Sequence, residues 1–146
     1  MILDNFGKVT KAVTGSGTGT SFIVSAESID LGADRSAMTI GAGEGIEFLF
    51  HVTAAAAGSG NAYTVEVISS TAAALDAGVV AISSQDFTEA QLALNTQWSV
   101  KIPADVANAL STGRYLGFQI KKGHTDDTIT LSATVVTGVQ TVQKAS

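Results

Sequence analysis

The chain has 146 residues, enough to bury a core of its own as a single domain spanning 1–146 without disulfide or metal staples. Hydrophobic residues make up 45% of it, an ordinary globular share that argues against global disorder, while charged residues make up only 14%, against roughly 25% in average domains. The net charge is −5, with eight scattered lysines and arginines and no cysteine. That balance disfavours nucleic acid and anionic membrane as partners, since both are held mainly by clustered basic side chains. It also removes thiol nucleophiles, thiolate metal sites and disulfides from consideration. No apolar run approaches the roughly 18 residues of a membrane span. The first residues lack the basic region and apolar core of a secretory signal, so synthesis in a cytoplasm is expected. With so few charges, serine, threonine, glycine and alanine must cover much of the surface, which suits a protein packed into an assembly.

Residues 1–7 carry Ile2, Leu3 and Phe6 around Asp4. They read either as a first strand tucked into the core or as an arm that docks on a partner. From Val9 to Thr20 the chain turns small and polar and ends in Gly15-Ser16-Gly17-Thr18-Gly19-Thr20. A phosphate-cradling loop would need a lysine followed by serine or threonine at a helix start; here a strand follows, so the segment reads as a turn. Phe22–Ser25 and Ser28–Leu31 read as short strands. Gly41-Ala42-Gly43-Glu44-Gly45 precedes a strand and not a helix, which rules out a dinucleotide fingerprint.

The central stretch runs from Ile46 to Ser69. Ile46, Phe48, Phe50 and Val52 alternate with Glu47 and His51, and Tyr63, Val65 and Val67 alternate with Thr64 and Glu66. Period-two alternation marks half-buried antiparallel strands, and the pair is expected to form a hairpin or two neighbouring strands joined through Gly58-Ser59-Gly60-Asn61. Val79–Ser83 follows as a short β-branched strand. Thr88 and Gln91 have capping-box spacing, predicting one helical turn over 88–94. Trp98, Val100 and Ile102 make a strand that Pro103 stops, and Pro103 can open a second helical turn through Leu110. Arg114–Lys121 and Thr128–Val135 alternate cleanly and are expected to pair as a last hairpin around Lys122–Asp127. The polar tail, 137–146, is expected to fray. About eight short strands, at most two helical turns and glycine-rich turns describe an all-β antiparallel sandwich or barrel.

Catalytic groups do not assemble in this reading. His51 falls on a strand's outer face and His124 in a turn, and no serine sits in a nucleophile elbow between strand and helix. Asp126-Asp127 beside His124 is the best metal candidate, but two adjacent carboxylates fall short of the six to eight oxygens calcium takes. No cofactor, metal or catalytic residue is therefore expected, and the protein is expected not to be an enzyme. Trp98, Tyr63 and Tyr115 would form a sugar-stacking platform only if they shared a face.

Three stretches carry a resemblance: Met1-Ile2-Leu3-Asp4, Ser28-Ile29-Asp30-Leu31-Gly32, and Arg114-Tyr115-Leu116-Gly117 before the last two strands. In their order, and in the length and Ala/Gly/Thr-rich composition around them, the chain resembles the capsid cement (decoration) proteins of tailed phages. The similarity covers most of the chain, though Gly15–Ser21 and Lys122–Asp127 match no hallmark of that family. The resemblance implies a jelly-roll-like β-sandwich and a virion structural protein, made in the bacterial host cytoplasm. Such a protein forms homo-oligomers on the outer surface of an icosahedral head and clamps neighbouring copies of the major capsid protein. Ile2, Leu3 and Phe6 are the expected capsid or oligomer contacts. The alternative is a carbohydrate- or receptor-binding β-sandwich module of a phage tail or a secreted protein.

Overall fold

The computed structural model describes residues 8–13, 22–25, 28–30, 46–102, 113–124 and 126–137. Nine strands appear among them: β1 (Lys8–Val13), β2 (Phe22–Val24), β3 (Ile29–Asp30), β4 (Ile46–Ala57), β5 (Ala62–Ser70), β6 (Val80–Thr88), β7 (Gln97–Ile102), β8 (Tyr115–Lys122) and β9 (Thr128–Thr137). One sheet has the order β1-β9-β4-β7; the other has β2-β8-β5-β6, with β3 also on β8. All pairings are antiparallel.

β2 and β3 act as one interrupted edge strand. Ser25, between them, donates its N–H to the Phe118 carbonyl at 2.7 Å and accepts the Phe118 N–H on Oγ at 3.3 Å. Counted so, eight strand positions pair first with last: β1 with β9, β2/β3 with β8, β4 with β7, β5 with β6. A long antiparallel hairpin of eight positions, folded over so that its strands alternate between two layers, is the jelly roll. The antiparallel β-sandwich expected from the sequence is therefore the fold.

The two expected hairpins are corrected by this topology. β4 pairs β7 and β9, whereas β5 pairs β6 and β8, so Gly58–Asn61 crosses from one layer to the other. β8 and β9 likewise lie in opposite layers. Alternation tells which face of a strand is buried but not which strand lies beside it. β6 extends past the expected Ser83 to Thr88, and β1 replaces a segment read as turn. The expected turn at Thr88 is a 3-10 turn over Glu89–Leu92, with the Gln91 side-chain carbonyl accepting the Thr88 N–H at 2.8 Å. The expected helical turn after Pro103 and the segments 1–7, 14–21, 31–45 and 138–146 lie outside the described residues.

The core lies between the layers, where the alternation puts it. Phe48, Phe50 and Val52 of β4 and Ile129 and Leu131 of β9 face Tyr63, Val65 and Val67 of β5 and Leu116, Phe118 and Ile120 of β8, all buried. Phe50 meets Phe118 edge-on across the layers at 5.3 Å and stacks on Trp98 of β7 at 5.0 Å. Phe87 of β6 lies 4.7 Å from Trp98, so these two rings close the sandwich where both layers end. Such ring pairs add roughly 0.5–1.5 kcal/mol each to the area they bury.

A second apolar contact sits on the outer face of the β5–β8 layer. The loop 71–79 folds over that face, and Leu75 is buried there with φ +59°. Its side chain fills the space left by Gly117, where an added Cβ would collide with Leu75 Cδ1. Ser28 Oγ donates to the Ala73 carbonyl and Ser70 Oγ to that of Ala77, which tie the loop down at both flanks. A leucine in the left-handed region costs about 1 kcal/mol, so its packing must exceed that cost. Leu75→Ala is expected to lower stability by about 2–4 kcal/mol, and Gly117→Ala by about 1–3 kcal/mol. In the double variant the two losses should be clearly less than additive, read from urea midpoints; strict additivity would mean that the two positions do not share this contact.

Candidate functional site

The two ends of the sandwich differ. At one end β3 stops at Asp30 opposite Tyr115, and β4 starts at Ile46 between Ile102 and Thr137. Lys8 starts β1 opposite Thr134 at the same end. Residues 1–7, 31–45, 103–112 and 138–146 therefore all join the described strands at this end. Ile2, Leu3 and Phe6, the expected contacts, lie outside the described residues, so only their point of attachment is defined.

The opposite end is tied shut by Asp127. This residue is fully buried, and each of its carboxylate oxygens accepts a backbone N–H, that of Gly60 at 2.7 Å and that of His124 at 2.8 Å. Its own carbonyl accepts from Lys122 Nζ at 2.9 Å, with Lys122 only 3% exposed. The crossing at Gly58–Asn61 and the turn at Gly123–Asp127 are thus bolted together across the two layers. Gly58 and Gly60 are required by that closeness: an added Cβ at either would overlap the Asp127 carboxylate, and Gly58 has φ +143° besides. Charge-assisted bonds from backbone donors are among the stronger ones available, and here they meet a fully buried residue.

Above this buried carboxylate lies an exposed knot of Ser59, His124 and Asp126. Ser59 Oγ donates to Asp126 Oδ2, the Ser59 N–H donates to Oδ1 at 3.3 Å, and His124 Nδ1 sits 2.5 Å from Oδ1. The Ser59 hydroxyl, then His124 and the Ser59 N–H, hold the Asp126 carboxyl down at about 2. The residue types match a nucleophile, a base and an acid, but the geometry differs from a proton relay. His124 Nδ1 faces both Asp126 and, at 3.3 Å, Ser59 Oγ, whereas a relay uses opposite ring nitrogens for the two partners. Tyr63, beneath the knot and 1% exposed, donates to the Ala57 carbonyl at 3.3 Å; burial, with Asp127 next, pushes its hydroxyl up to about 12.

The sequence singled out His124, Asp126 and Asp127 as neighbours in a polar turn; it did not bring Ser59 to them. Asp127, half of the expected metal candidate, is the most buried of the three, with its oxygens already occupied. Among the described residues no cluster of three or more His, Cys, Asp or Glu is placed to hold a metal ion. His51 lies apart on β4, 3.4 Å from Asn95 Oδ1. The aromatic platform does not assemble: Tyr63 and Trp98 point into the core, whereas Tyr115 lies outside under Arg114.

Asp127→Ala should cost about 2–4 kcal/mol in chemical denaturation, because it orphans two inward-facing N–H groups. Asp127→Asn should cost less, since its amide still offers one acceptor. The Asp126 shift has a sign of its own. Its folded pKa lies below the ordinary 3.8, so its stabilisation is present above pH 4 and is lost as pH falls through about 2. The melting temperature of the wild type should therefore drop more steeply between pH 4 and 2 than that of Asp126→Asn; identical slopes would refute the linkage.

A search of curated proteins finds no match to this chain. The model of the family described as Bbp16 matches residues 10–141. That span runs from within β1 to beyond β9 and so takes in both layers and both ends of the sandwich. The chain belongs to the Bbp16 family.

Proposed function

We propose that this protein is a non-catalytic virion structural protein, a capsid cement protein that binds the outer surface of an icosahedral phage head. It acts as a homo-oligomer that bridges neighbouring copies of the major capsid protein. The observation that carries the reading is the jelly-roll order of the strands, the architecture implied by the resemblance of Met1–Asp4, Ser28–Gly32 and Arg114–Gly117 to cement proteins. The asymmetry of the sandwich supports it as well. One end is locked by Asp127, while residues 1–7, with Ile2, Leu3 and Phe6, join the other, the end we assign to contact with a neighbour.

The described surface also suits the role. Outward positions of β9 and β4 include Thr130, Ser132, Thr134 and Thr53, short side chains that lose little rotamer freedom on contact. Modest contacts repeated around a shell add up through avidity, so no single strong site is needed. The carbohydrate-binding alternative lacks a shared aromatic face among Trp98, Tyr63 and Tyr115.

The test is co-sedimentation of purified protein with undecorated heads of the encoding phage. Saturable binding at a fixed ratio to capsid protein is expected. Deleting residues 1–7 should abolish binding while circular dichroism and the thermal transition persist. A folded full-length protein that stays in the supernatant would overturn the assignment; a truncated protein that fails to fold would place the arm in the core instead.

A further inference from the structure

Among the described residues the sandwich has four edge strands, and three are guarded by lysine, proline or a break. β1 contains Lys8 and Lys11. The β2/β3 edge is short and broken at Ser25. β7 contains Lys101 and is followed by Pro103. Lysines, breaks and prolines are the usual guards of such edges, because an unpaired row of N–H and C=O groups templates further pairing. β6 differs. It runs nine residues, Val80–Thr88, bonds only β5 among the described residues, and contains neither lysine nor proline. The register shift opposite Val67 and Ile68 is a bulge that guards its Val80–Ile82 end, which leaves Ser83–Thr88 as the regular, open run.

Charge gives this edge a preference. Between Arg35 and Lys101 the sequence has no lysine or arginine. Asp86 lies on β6, Glu89 follows in the 3-10 turn, and Asp76 precedes β6 in the loop. Asp86 accepts from Thr64 Oγ1 at 2.7 Å, so no cation neutralises it through that contact. A second copy pairing through its own β6 would bring Asp86 and Glu89 of both chains to one short ribbon, and like charges in such proximity are unfavourable. An extended segment bearing lysine or arginine meets no such penalty.

We propose that the β6 edge is a strand-addition site for an extended, lysine- or arginine-bearing segment of another protein, which would join as the next strand beyond β6. Main-chain hydrogen bonds would hold it, and Asp76, Asp86 and Glu89 would select its charge. The proposal does not depend on the capsid reading, since it follows from the edge and its charges alone.

The probe is a soluble peptide of about ten residues, the length of a long strand, alternating threonine and valine with a lysine at each end. The same peptide with glutamate ends is the control. By NMR hydrogen exchange, the β6 amides that do not bond β5 should exchange rapidly in the free protein. They should slow on adding the lysine peptide, with affinity on the order of tenfold above that of the glutamate peptide at low salt and converging with it at high salt. Ser84→Lys, at an exposed outward position opposite Glu66, should weaken binding while leaving the melting temperature near wild type. Four results would each overturn the proposal. These are β6 amides already slow in the free protein, equal affinity for both peptides, binding indifferent to Ser84→Lys, and slowing of those amides by self-association alone.

Discussion

The contact on which the structure depends is the one between β4 and β8 through the middle of the sandwich. β4 is central to one layer and β8 to the other, and Phe48, Phe50 and Val52 press on Leu116, Phe118 and Ile120. Neither layer buries its apolar face without the other, and burying each such side chain is worth roughly 1.5–3 kcal/mol. Trp98 and Phe87 extend this contact to one margin, and Ile29 and Leu92 cap it elsewhere.

The ends of the sandwich serve that contact differently. At the Asp127 end the layers are cross-linked by hydrogen bonds to a single buried carboxylate, which fixes their relative position with little apolar area. On the outer face, Leu75 fits over Gly117 and binds the 71–79 loop to the β5–β8 layer at a cost in backbone conformation. Both devices use glycine for the same reason, the close approach of a second segment. In one case the neighbour is a carboxylate, in the other a methyl group.

Much of this was legible in the sequence, and what was not has physical causes. The inward faces of β4, β5, β8 and β9 could be read from period-two alternation, because burial on one side imposes it. Partner choice could not be read, since Phe50 would look the same whether β5 lay beside it or across from it. β1 was missed because Val9 and Val13 alternate with lysine, threonine and alanine too weakly to stand out from a polar turn. Asp127 looked like an ordinary turn carboxylate. Its role depends on Gly60, 67 residues away, and no local pattern encodes that approach. Lys122 falls in the expected connection Lys122–Asp127, although its even position on β8 puts it on the inner face with Phe118 and Ile120.

The first-with-last pairing has a consequence for how the chain acquires its shape. Lys8 lies opposite Thr134, and Val13 opposite Ile129, so among the described residues β1 has no hydrogen-bonding partner until β9 has been made. β4 also waits for β7 and β9. Among the described strands, β5 and β6 are the pair contiguous in sequence. A chain emerging from a ribosome therefore carries β1 unpaired until β9 follows, and that layer closes only then. Topologies so dominated by distant contacts fold slowly, because the entropy of closing long loops is lost before the contacts that offset it form.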